Sequence, residues 1–201
     1  MFIRRESFSE YIRLYPVTTV LIALNILLYL TRFIPSLGDF ILSEGIGYNL
    51  FVAQGEWWRL VTPMFLHADF MHLLMNMFSL FILGPDLEKI AGKARFFTIF
   101  FLSGIFANLV TYFVQGVTYG PHLGASGAIF GLFGAFLALY YYTRDAMPEL
   151  RQIILPMTVI GIVLTFLTPN INVTAHLGGL VGGFLIGLPY FHPKRLNEWR
   201  K

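Results

Sequence analysis

The sequence holds no cysteine. That excludes disulfides, a thiolate nucleophile and cysteine-ligated metals. Charge is scarce too: 12% of residues are Asp, Glu, Lys or Arg, where an ordinary soluble domain has about 25%. With 56% hydrophobic residues and a mean hydropathy of +0.67, the chain reads as an integral membrane protein. No stretch outside the apolar runs is long enough for an independent soluble domain. No small-residue cleavage site follows an apolar run near the N-terminus, so MFIRRESFSEYIRLYP reads as a cytoplasmic tail before an uncleaved signal anchor.

What is present is apolar sequence in span-length blocks. A membrane-crossing helix needs roughly 20 mostly apolar residues. Six stretches qualify: Val17–Ile34, Phe70–Leu83, Phe96–Val114, Ser126–Tyr142, Ile153–Leu167 and Thr174–Phe191. The second and fifth are short, and either extend into their flanks or sit in a locally thinned bilayer. Pro35, Gly84–Pro85, Gly120–Pro121 and Pro169 punctuate the blocks. The expected organisation is a cytoplasmic tail over residues 1–16, a six-helix all-α membrane bundle over 17–191 and a second cytoplasmic tail over 192–201.

The formal charge of +3 and pI of about 9.2 are topology signals here, not a nucleic-acid footprint. Arg4, Arg5 and Arg13, then Lys89, Lys93 and Arg95, then Arg144 and Arg151, then Lys194, Arg195, Arg200 and Lys201 all fall on one side if six spans alternate. Only Arg59, and Arg32 at the far end of the first span, fall on the other. Arg32 reads as snorkelling to the interface. Both termini are expected in the cytoplasm. The first connection, about Pro35–Leu66, is the longest and carries Trp57–Trp58–Arg59. It is expected to lie partly embedded at the outer surface, since amphipathic aromatics favour the headgroup layer.

Three polar patches interrupt this chain: His67–His72–Asn76, the run GASGAIFG around Ser126, and Ala175–His176–Leu177–Gly178–Gly179. Each sits at the start of an even-numbered span, so alternation brings all three to one side at one depth. His72 and Asn76, four apart, share a helical face. Polar groups in lipid are costly unless paired, and each has a bland reading beside the functional one. A lone intramembrane histidine more often packs through a hydrogen bond, and a helical serine often bonds its own backbone. The row Gly127, Gly131 and Ala135 suits close helix packing, as does the row Gly179 and Gly183. Contact between the fourth and sixth spans along those rows would bring Ser126 to His176.

That meeting has chemical content. The first N–H groups of a helix lack internal partners and carry partial positive charge, so the Ser126 N–H suits an oxyanion. Asn76 and His72 offer side-chain donors to the same oxyanion. His176 is the candidate general base. No carboxylate falls in the outer halves of these spans, and Asp69 lies in the loop before the second, so a Ser–His pair is favoured over a triad. GASG is not the G-x-S-x-G strand-to-helix elbow, and the chain has no sheet to hold one.

These residues, in this order and on these spans, resemble the rhomboid intramembrane serine proteases in a minimal bacterial-type form. The match covers nearly the whole chain: Trp58–Arg59 in the long loop, the His67…His72…Asn76 spacing, GASG with Ser126, and Ala175–His176 followed by Gly179 and Gly183. The resemblance implies hydrolysis of peptide bonds in or near transmembrane segments of single-span or multi-span membrane proteins, in the lipid bilayer of a bacterial plasma membrane. Ser126 would be the nucleophile and His176 the base. His72, Asn76 and the Ser126 N–H would line the oxyanion hole. No cofactor, metal or nucleic acid is implied, and oligomeric state is not written in the sequence. The fifth span and the loop of residues 168–173 are implied to move for substrate entry. Phe130 stands where many family members carry a tyrosine stacked on the histidine.

Three rivals start from the same residues. A catalytically inactive rhomboid-like scaffold binding transmembrane clients would usually lack the serine or the histidine. A metal or haem protein could use His67, His72 and His176, but no H-E-x-x-H occurs. A transporter would use polar residues such as Asn108 and Gln115, yet its site belongs at midplane between inverted repeats. Asn108 and Gln115 read better as interhelical hydrogen-bonders or water holders beside the site.

Overall fold

The structure is a computed structural model, described here for residues 2–195. Arg200, Lys201 and the rest of 196–201, named above as part of the second tail, lie outside the described residues. Among the described residues, six helices are long and apolar enough to cross a membrane: α2 (Pro16–Leu30, continued by a 3₁₀ turn to Phe33), α5 (Phe70–Ala91), α6 (Lys93–Gln115), α7 (Ser126–Thr143), α8 (Pro148–Leu167) and α9 (Val173–Phe191). Among the described residues there are also three short α-helices: α1 (Phe8–Leu14), α3 (Leu37–Gly45) and α4 (Asn49–Ala53). Among the described residues there is no strand, only an isolated bridge between Gly47 and His122. The fold is an all-α membrane bundle. Short joins make α5 and α6, α7 and α8, and α8 and α9 antiparallel neighbours.

The helices differ in how much of their surface faces protein. α7 is apolar all round, with Gly127–Phe136, Ala138 and Leu139 all buried, as expected of a central helix rather than an amphipathic one. α9 and α6 flank it. The α7–α9 approach is close enough that a Cβ on Gly179 would stand 1.9 Å from the Gly127 carbonyl oxygen. Toward α6, a Cβ on Gly127 would meet the Ala107 Cβ at 2.8 Å, and one on Gly131 would overlap the Ser103 side chain. The glycine rows therefore serve two neighbours: carbonyls toward α9, open Cα faces toward α6. α8 is peripheral and buries only a stripe, Leu150, Ile154, Thr158 and Thr165.

Several sequence expectations change. α5 does not stop at Gly84–Pro85 but runs on to Ala91, with Pro85 inside it. Gly84 is a packing glycine, since a Cβ there would lie 2.7 Å from Thr18 Cγ2 on α2. Asp86 and Glu88 beyond it are buried partners. Glu88 accepts from the amides of Val17 (3.0 Å) and Thr18 (2.8 Å) and from the Thr18 hydroxyl (2.8 Å). It thereby caps the N-terminus of α2, where the orphan donors and the helix dipole favour an anion. Asp86 accepts from the Phe2 amide at 2.7 Å and pairs with Arg4, tying the N-terminal segment to the same end. The α5–α6 join shrinks to Gly92, at φ 82°, so Lys89, Lys93 and Arg95 ride on helix ends. α8 begins at Pro148, a turn earlier than expected.

Arg32 is exposed at the end of the first span. Its guanidinium donates to the His67 carbonyl at 2.8 Å and to that of Ala68, bracing the approach to α5. In the long connection, Arg59 is only 3% exposed. It donates to the Ser43 and Ile46 carbonyls at 2.8 Å each, pairs with Glu56 and lies over the Phe51 ring. Trp58 Nε1 donates to the Glu44 carbonyl. Arg59 thus ties α3 and α4 to its own 3₁₀ turn, Trp57–Leu60, around one cation. Phe40, Leu50, Trp57 and Trp58 remain exposed on this connection.

Candidate active site

The three polar patches converge at the N-terminal ends of α5, α7 and α9. Each end is shaped locally. At α5, Asp69 is the N-cap, and its carboxylate accepts from the His72 amide at 2.9 Å. At α9, Asn172 caps by accepting from the Ala175 amide at 2.9 Å, and its amide nitrogen donates to the Thr111 hydroxyl of α6. Before α7, Gly124 takes φ 126° and donates to the Pro63 carbonyl at 2.9 Å. Only glycine suits that φ. Space demands it too: a Cβ on Gly124 would lie 2.6 Å from His72 Nε2 and 3.7 Å from Ser126 Oγ. His72 Nε2, the Gly124 backbone and Ser126 Oγ therefore crowd one spot.

Ser126 and His176, 50 residues apart in sequence, meet there with Oγ and Nε2 2.8 Å apart. Two further groups hold the imidazole. Phe130, one turn along α7 from Ser126, stacks on it with ring centroids 4.2 Å apart and planes at 19°. On the opposite ring edge, Nδ1 is 2.7 Å from Thr165 Oγ1 of α8. Nothing in the sequence singled out Thr165 or Asn172, because a threonine in an apolar helix and an asparagine in a short loop are ordinary. The first backbone bond of α7 runs from the Ile129 amide to the Ala125 carbonyl, so the amides of Ser126, Gly127 and Ala128 precede its ladder.

The other singled-out residues are placed less uniformly. Asn76 is buried, and its amide nitrogen donates back to the His72 carbonyl at 2.9 Å. His67 touches neither Ser126 nor His176. It is 1% exposed, stands edge-on to His72 with centroids 5.0 Å apart, and neither of its ring nitrogens has a hydrogen-bond partner among the described residues. Burial holds it uncharged, with its pKa pushed down to about 3. Asn108 donates to the Leu60 carbonyl at 2.8 Å, and Gln115 donates to the Thr174 hydroxyl at 2.5 Å. Both thus bind neighbouring elements rather than line a path across the bundle. Among the described residues, no group of three His, Cys, Asp or Glu is placed to hold a metal ion. A cavity of about 20 Å³ beside Ser126, lined by Pro63, Asn108, His122, Gly124 and Asn172 among others, has room for one water molecule.

Comparison with known proteins bears on this geometry. Residues 54–193 match the rhomboid domain. The chain belongs to the rhomboid family. It is 45% identical over 188 residues to a Bacillus subtilis protein named "Putative rhomboid protease YdcA", covering 92% of this chain and 94% of that one. It is 36% identical over 156 residues to the rhomboid protease GluP of the same organism, covering 74% of this chain but 30% of GluP. Rhomboid-like protease 1 of Toxoplasma gondii is 35% identical over 162 residues, 77% of this chain and 53% of that protein. Family and relatives together support intramembrane protease activity as the general class, in a multi-pass integral membrane protein.

Proposed function

We propose that this chain is an intramembrane serine endopeptidase working through a Ser126–His176 dyad. The observation that carries the reading is the 2.8 Å contact between Ser126 Oγ and His176 Nε2 at the adjoining starts of two spanning helices. His176 Nε2 takes the hydroxyl proton as Oγ bonds to the scissile carbonyl carbon. The carbonyl oxygen becomes an oxyanion, facing the Ser126 N–H and the side chains of His72 and Asn76. The imidazolium then gives its proton to the departing amine, leaving an acyl-enzyme. Water, deprotonated by the same nitrogen, releases the second product and restores the serine. Asn76 gives one of its two amide hydrogens to the His72 carbonyl, which leaves the second for the oxyanion. Catalytic hydrogen bonds commonly tighten only with substrate bound.

The substrates are single-span or multi-span membrane proteins. A spanning helix hides its peptide bonds in its own ladder, so segments that unwind easily are preferred. The basic residues at the end of the bundle remote from Ser126 support a topology with both termini cytoplasmic and the site toward the outer leaflet of a bacterial plasma membrane. The test is incubation of the purified protein and its Ser126→Ala variant with a panel of single-span proteins, read by product mass. Ser126→Ala removes one hydroxyl and leaves no large cavity, so it is expected to fold normally and cut nothing. Cleavage retained by Ser126→Ala would overturn the dyad. A wild-type protein that neither cuts nor reacts with a fluorophosphonate at Ser126 would favour an inactive scaffold.

A further inference from the structure

The imidazole of His176 is bonded at both nitrogens, and the second partner stands on a helix that carries neither dyad member. Thr165 Oγ1 lies 2.7 Å from His176 Nδ1 and 2.8 Å from the Gly161 carbonyl, one turn back on α8. A carbonyl can only accept, and a hydroxyl has one proton. Both distances are hydrogen bonds only if the hydroxyl donates to Gly161 and accepts from Nδ1–H. The alternative, in which the hydroxyl donates to Nδ1, gives up the Gly161 bond and puts the ring proton on Nε2, the atom facing Ser126. We infer that Thr165 is a positioning residue that holds His176 in the Nδ1–H tautomer, leaving Nε2 free to take the serine proton.

This rests on the dyad reading above and extends it to α8. In a triad, a carboxylate fixes the tautomer of the histidine. Here a neutral hydroxyl does so, its own proton committed to a helix carbonyl. Thr165 is buried, so water does not replace it as the Nδ1 partner. Gly161 belongs to the same arrangement: a Cβ there would stand 3.3 Å from Phe130 Cζ, against the ring that covers the other face of the site. α8 buries only a narrow stripe, and the last residue of that stripe is the histidine's partner. The base is therefore oriented only while α8 is docked at its Thr165 end. A displacement of α8 by more than a hydrogen-bond length would leave His176 free to change tautomer.

The experiment compares Thr165→Val, which keeps the shape and removes the hydroxyl, with Thr165→Ser, which restores it, in purified protein. Ser126→Ala and His176→Ala are run alongside. The expected result is a fall in kcat of about tenfold or more for Thr165→Val, the scale of one lost buried hydrogen bond. KM should be unchanged, and kcat largely regained in Thr165→Ser. ¹⁵N resonances of the His176 ring supply a readout that a merely structural role would not move. In wild-type protein Nδ1 carries the proton, and in Thr165→Val the spectrum shows the other tautomer or a mixture. A wild-type spectrum with the proton on Nε2 overturns the inference even if Thr165→Val fails to fold. So does a folded Thr165→Val with wild-type kcat. If instead His176→Ala and Ser126→Ala still cleave, it is the dyad itself that fails.

Discussion

The carbonyl oxygen of Gly131 lies 1.9 Å from the point where a Cβ on Gly183 would stand. The obstacle is backbone, so no side-chain rotation relieves it. Gly183→Val is expected to push α9 away from α7 and to cost at least the ~1–3 kcal/mol of an overpacked core. Ser126 and His176 would separate and activity would be lost. Thermal unfolding in detergent, with lipid-facing Leu185→Ala as a control, checks this. Unchanged melting and cleavage would mean the two helices do not meet along these glycines.

Asn76→Ala tests the oxyanion assignment. Loss of one side-chain donor is expected to lower kcat by about a hundredfold and leave KM nearly unchanged, because the interaction is made only in the transition state. The measurement is steady-state cleavage of one defined substrate. A purely raised KM would move Asn76 from the reaction to substrate binding.

His67 gives a pH-dependent stability. Its pKa is about 3 in the fold, against roughly 6.5 for a free histidine. Between those values the unfolded chain binds the proton more readily than the folded one. Its contribution is thus intact above pH ~6.5 and is lost as pH falls toward ~3, by at most about 1.4 kcal/mol per unit. His67→Phe removes the titration and both unpartnered nitrogens. Melting temperatures of the two proteins across pH 7 to 4 should converge on acidification if the wild type starts higher, or diverge if it starts lower. Parallel curves would show that His67 does not carry the dependence.

Glu88→Gln should destabilise without altering chemistry. The carboxylate accepts three hydrogen bonds at the start of α2, and an amide loses an acceptor there and turns a donor toward donors. A cost of about 1–3 kcal/mol is expected, with kcat unchanged at temperatures where the variant is folded. Denaturation midpoint and cleavage rate, measured together, separate these effects.

Much of the architecture was legible in the sequence, for one reason. Span length and the distribution of arginine and lysine answer to the bilayer, not to details of packing. Alternation then put His72, Ser126 and His176 at one end, and the glycine spacings pointed to α7 against α9. Features that depend on which neighbour passes by were not legible. Gly84–Pro85 looked like an ending because nothing in the sequence shows Thr18 pressed against Gly84. Glu88 and Asp86 carried no signal because their partners, at Val17, Thr18, Phe2 and Arg4, are remote in sequence. The carbonyls that Arg32 braces were not legible because they lie beyond a long connection. Thr165 carried no signal, since its contact with His176 exists only once α8 is laid against α9.

Gly92, the whole of the join between α5 and α6, has a consequence for biogenesis. One residue leaves no slack for the two helices to enter the bilayer separately and find each other afterwards. They are expected to enter the membrane as one hairpin, with the charged residues of both arms, Lys89, Lys93 and Arg95, gathered at its bend.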